Sequence, residues 1–139
     1  MAPGMTALRT LVPLGLLLAA MPALAQDQPA DPGANPTPTL EQAMMLRCSA
    51  VFALVAGDQA RGLEPAKEYP PLGTRGKEFF VRASAQLMDD MHVTHDQVEA
   101  MLREQVDELQ HGSAQAKDRA AYLDAVMQPC LEQLEANGF

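Results

Sequence analysis

The chain has 139 residues, with 18 acidic against 10 basic side chains and a formal net charge of −8. That length suits one modest domain. The acidic balance argues against a nucleic-acid footprint, which needs clustered Lys and Arg, and disfavours an anionic membrane surface.

Residues 1–25 differ in kind from the rest. Arg9 and the amino terminus give a weakly positive start, Leu11 to Ala20 reads LVPLGLLLAA, and MPALAQ then sets Ala23 and Ala25 in an A-x-A arrangement. This pattern predicts a secretory signal peptide cleaved after Ala25. The apolar run is about half of the roughly 20 residues a spanning helix needs, and Pro13 and Gly15 weaken it further. No cysteine stands at the cleavage site, so a lipid anchor is not indicated, and no second apolar run of membrane length is expected. Loss of the leader removes Arg9 and no acid, leaving nine basic residues against 18 acidic, or −9. The expected location is periplasmic or secreted.

Residues 26–38, QDQPADPGANPTP, hold four prolines and lack apolar periodicity. They read as a disordered Pro-rich tether, with the helical domain spanning 39–139. Thr39 and Gln42 have capping-box spacing. Leu40, Met44, Cys48, Val51 and Val55 then recur at helical intervals, and Gly57-Asp58 is the expected stop. A loop over 58–73 follows, long for a compact domain, with Leu63, Tyr69 and Leu72 expected to drape over the core. From about Thr74, the residues Phe80, Ala83, Leu87 and Met91 predict a second helix. Thr94 and Gln97 repeat the capping-box spacing, and Val98, Met101, Leu102, Val106 and Leu109 mark a third helix, with His111-Gly112 as its stop. Ser113 is the expected cap of a fourth, carrying Ala116, Ala120, Leu123 and Met127 on one face. Pro129 predicts a kink or a new helix, after which Cys130, Leu131 and Leu134 continue the apolar face. No segment alternates at period two, so the fold class is all-α, a small bundle of four to five helices.

The two cysteines, Cys48 and Cys130, both fall on apolar stripes, 82 residues apart. In an oxidising compartment they predict one disulfide joining the first and last helices. Closing such a loop is worth about 4.5 kcal/mol in the chain-entropy model, against a net stability of roughly 5–15 kcal/mol for a small domain. No C-x-x-C motif points to redox catalysis.

Residues 88–99, MDDMHVTHDQVE, raise the question of metal. On one continuous helix His92 and His95 would share a face, and zinc would accept both with Asp89, Asp96 or Glu99. Met88, Met91 and His92 would suit Cu(I). Thr94 as a cap argues otherwise: His92 then ends one helix, His95 starts the next, and Asp96 and Glu99 meet the positive end of the new helix. Methionine at helical spacing is more often core filler.

Signs of catalysis are absent. His92, His95 and His111 are candidate bases by residue type, but no G-x-S-x-G, H-E-x-x-H, P-loop or dinucleotide fingerprint occurs. The basic residues Arg61, Lys67, Arg75 and Lys77 interleave with Glu64, Glu68 and Glu78, which reads as a mixed solvated surface. An exported, helical, disulfide-stapled plan of this size resembles small periplasmic proteins that include acid-stress chaperones. That plan implies a helical domain and carries no site residues with it. The expectation is a non-enzymatic binding or interaction module with no cofactor, whose contact surface is the long loop and the adjoining helix faces. Its partner would be another protein of its compartment or a small ligand. The alternatives are metal binding (zinc or copper) through His92, His95 and Asp96, and acid-triggered chaperone behaviour through loss of carboxylate interactions.

Overall fold

The computed structural model describes residues 35–138. The expected signal peptide and most of the tether lie outside the described residues. Within them the chain forms four α-helices: α1 (Leu40–Ala60), α2 (Arg75–Met91), α3 (His95–Gln115) and α4 (Arg119–Ala136). One 3-10 turn, Ala66–Glu68, interrupts the α1–α2 connection, and no strand occurs among the described residues.

Both expected capping boxes are present. The Thr39 hydroxyl accepts from the Gln42 amide while the Gln42 side chain accepts from the Thr39 amide at 2.8 Å. Thr94 and Gln97 repeat this at α3, at 3.3 and 2.9 Å. Val93 and Val98, both buried, flank the second box at the positions of a hydrophobic staple.

The helix stops are where expectation and structure part. Gly57-Asp58 does not end α1, which runs on to Ala60. The reversal falls at Gly62, whose φ of 69° is the left-handed conformation glycine tolerates. Its amide donates to the Gln59 carbonyl and that of Leu63 to the Asp58 carbonyl, both at 3.0 Å. This is the Schellman pairing that satisfies the last carbonyls of a helix. His111-Gly112 does not stop α3 either, and Ser113 caps nothing: the helix continues to Gln115. Asp118 is the cap of α4, its carboxylate accepting from the Ala121 amide at 3.0 Å. Pro129 removes one helical donor, yet lies inside a single continuous α4.

The α2 stripe is also shifted. Phe79, not Phe80, enters the core: Phe79 is 4% exposed and Phe80 39%. Either phenylalanine fits a helical period with Ala83 and Leu87, so periodicity alone cannot choose. Gly76 decides it. A methyl at Gly76 would lie 3.1 Å from the Phe52 Cβ, so α2 approaches α1 closely on the Gly76–Phe79 side. Phe79 then meets Phe52 edge to face, ring centroids 5.3 Å apart, the arrangement aromatic quadrupoles prefer. Met91 is only partly buried. On α4 the buried residues are Val126, Met127, Cys130 and Leu134, while Ala120 is exposed.

α1 is the central element, packing on α2, α3, α4 and the 3-10 turn. Contrary to expectation, it is long and apolar enough by length and composition to cross a membrane. In the bundle its Leu46, Val51, Phe52 and Val55 are buried against the other helices, as befits a helix apolar on most sides. Cys48 and Cys130 are fully buried, with sulfurs at disulfide distance, 2.07 Å, and Cα atoms 5.2 Å apart. The first and last helices are thus joined across 82 residues, an arrangement that fits an oxidising compartment.

Candidate binding cleft

The long connection after α1 is held by one side chain. The Gln59 amide nitrogen donates to the carbonyls of Ala66, Tyr69 and Pro70 at 3.1, 3.1 and 3.0 Å. Its two protons serve three acceptors, so one bond is shared. Its oxygen accepts from the Leu72 amide at 3.0 Å. The Tyr69 and Pro70 carbonyls and the Leu72 amide, which have no helix or sheet partner, are thereby satisfied. With the loop so fixed, Leu72 and Ala66 are fully buried and Tyr69 packs against the core. Leu63, expected beside them as part of a lid, is instead 45% exposed. The Tyr69 hydroxyl donates to the Asp124 carboxylate at 2.6 Å, tying the loop to α4. Burial first, then this hydrogen bond and the Asp124 and Glu68 charges, hold the Tyr69 phenol well above its ordinary range.

At the other end of α3, Gly112 has a packing role. A methyl there would lie 2.3 Å from the Tyr122 hydroxyl oxygen and 2.7 Å from the adjoining ring carbon. Only glycine lets α4 place this ring directly on the α3 backbone.

Between these two contacts a cleft of about 480 Å³ opens. Val51, Leu54, Val55, Leu109, Leu123 and Val126 give it an apolar floor. Asp58, Arg61, Glu64, Gln110, Ser113 and Arg119 stand around it, with Leu63 and Tyr122. An apolar floor with few polar groups in this volume range is the usual make-up of a ligand site.

The histidine turn is organised differently. His92 is the C-cap of α2 in the left-handed conformation, φ 54° and ψ 40°, a conformation in which histidine is enriched among non-glycine residues. His95 opens α3. His95, Asp96 and Glu99 bring their ligand atoms within 4.8 Å of one another, all exposed, and His92 lies outside that group. His95 Nδ1 stands 3.6 Å from the Asp96 carboxylate, and Glu99 is bonded to Arg103 at 3.1 Å. These carboxylates lie in the first turns of α3, where the positive helix end already complements them and opposes a cation. Met88 and Met91 pack against the core. His111 bonds the Gln115 amide at 2.8 Å on the surface of α3.

His92 and Thr94 thus serve as caps, and His95, Glu99 and His111 have local partners. Of the residues that shape the cleft, Gln59, Arg119 and Tyr122 were not singled out, and Gly112 was read only as a helix stop. Gly112 carried the one available signal: a glycine inside a helical pattern, read as a stop, is equally the mark of a close approach. Comparison with family models, with curated proteins and with solved structures gives no match for this chain.

Proposed function

We propose that this chain is a non-enzymatic binding module of an oxidising, extracytoplasmic compartment, with the cleft between the α1–α2 connection and the α3–α4 corner as its contact surface. The observation that carries this reading is the cleft itself: an apolar floor with a polar rim, beside a loop whose backbone Gln59 holds. A buried staple and a pinned loop keep such a surface preformed, which lowers the cost of binding. The cysteine pair at disulfide distance supports the choice of compartment.

The metal reading has less behind it. Its three grouped residues are exposed, engaged locally and set at a positive helix end. The acid-chaperone reading needs interactions that acid removes at large cost. The pairs Asp58–Arg61, Glu64–Lys67 and Glu99–Arg103 lie at the surface, where each contributes roughly 0–1 kcal/mol.

Affinity capture from a periplasmic extract tests the proposal, with the wild type compared against Ala114→Trp, which sets a bulky ring at a residue lining the cleft. A partner retained by the wild type and lost by the variant is expected; equal recovery on both counts against it. Thermal melts with EDTA, zinc and copper separate the metal alternative. An unchanged midpoint is expected, and a stoichiometric upward shift would favour metal instead.

A further inference from the structure

The chemistry of the rim says what the cleft should accept. Of its two cations, Arg61 is engaged by the Asp58 carboxylate. The rim acid Glu64 is engaged by Lys67 at 3.0 Å. Arg119 is different: its side chain has no ion pair or hydrogen bond among the described residues. Tyr122 lies three residues on, so the two project from one face of α4. Its half-buried hydroxyl likewise has no hydrogen-bond partner among the described residues. An unengaged guanidinium and a phenol from the same face of α4 therefore both line the apolar floor, in a chain whose net charge is −8. The rim's two carboxylates are paired with Arg61 and with Lys67, which leaves Arg119 as its one cation outside an ion pair among the described residues.

From this juxtaposition we infer that the cleft binds a single-chain amphipathic carboxylate, its alkyl chain on the Val51–Leu54–Leu109–Leu123–Val126 floor and its carboxylate against Arg119 and Tyr122. The inference rests on the cleft being a binding surface, as proposed above, and adds the ligand class. A guanidinium and a carboxylate match in geometry as well as in charge. The floor favours an alkyl chain over a peptide backbone. A peptide lying on it would bury amide groups against Val and Leu side chains that offer no hydrogen bonds, whereas a hydrocarbon chain buries none.

Calorimetric titration of the purified full chain with decanoate, with decanol and with a short peptide of apolar C-terminal sequence tests this. Decanoate should bind one-to-one and roughly five- to ten-fold more tightly than decanol. Arg119→Gln, at an exposed position, should erase that preference while leaving decanol binding and the melting midpoint unchanged, and Ala114→Trp should block both ligands. Equal affinity for decanoate and decanol, or a preference that survives in Arg119→Gln, overturns the carboxylate assignment and leaves the cleft as a surface for something else. Tighter binding of the peptide overturns the alkyl assignment. Binding of neither ligand, or binding that Ala114→Trp does not disturb, overturns the inference, while affinity capture still decides the module reading on its own.

Discussion

The two connections on either side of α2 make opposite use of polar residues. The short one, 92–94, and the first turns of α3 engage polar side chains locally: His92 as a left-handed cap, Thr94 in a capping box, Glu99 by Arg103. The long one, 61–74, contains no obvious chemistry. It is organised from outside by Gln59, and it borders the cleft. A dense run of histidine and aspartate can thus supply helix caps and local ion pairs. A bland loop becomes informative once one side chain holds several of its backbone groups.

Both connections lie inside the 82-residue loop closed by Cys48 and Cys130, so the largest expected effect is common to them. Reduction, or Cys48→Ala with Cys130→Ala, should lower the unfolding free energy by about 4.5 kcal/mol, read by urea denaturation. Gln59→Ala should act on the long connection alone. It strands the Tyr69 and Pro70 carbonyls and the Leu72 amide, costing about 2–3 kcal/mol, and should open residues 62–72 to limited proteolysis while the 92–94 turn stays protected. A Gln59→Ala chain as protease-resistant as the wild type would dissolve the contrast between the two connections.

How far the sequence reached follows the same division. The all-helical class, with a helix number of four to five, the two capping boxes and the cysteine pairing depend on local spacing and on residue type, and all were legible. The register of α2 was not, because Phe79 and Phe80 satisfy the helical period equally and the choice turns on Gly76 meeting Phe52. The ends of α1 and α3 were misplaced because Gly57 and Gly112 look like stops. In fact the Schellman turn belongs to Gly62, and Gly112 makes room for Tyr122. The cleft was legible only as a location, beside the long loop. Its floor joins Val51 to Leu109 and Val126, residues from three helices that no local pattern brings together.

Smaller effects sharpen the comparison. Thr94→Ala should cost about 1 kcal/mol, the ordinary value of an N-cap, without changing ligand binding at the cleft. Tyr69→Phe should cost about 0.5 kcal/mol at neutral pH through loss of the Asp124 bond. Its clearer signature lies in alkali. Because the folded phenol titrates above its unfolded value of about 10, its contribution is complete below that pH and is lost as pH rises further. Wild-type melting should therefore fall above about pH 10, and Tyr69→Phe should lack that part of the slope.

The most direct test of the assignment to the cleft is one NMR titration, resolving methyl and imidazole signals, with decanoate and zinc added separately to the full chain. The expected result is saturable movement of the Leu54, Leu109, Leu123 and Val126 methyls with decanoate, and no stoichiometric saturation of His92 or His95 with zinc. Saturation of those imidazoles at one equivalent of zinc, with the cleft methyls unmoved by decanoate, would contradict it.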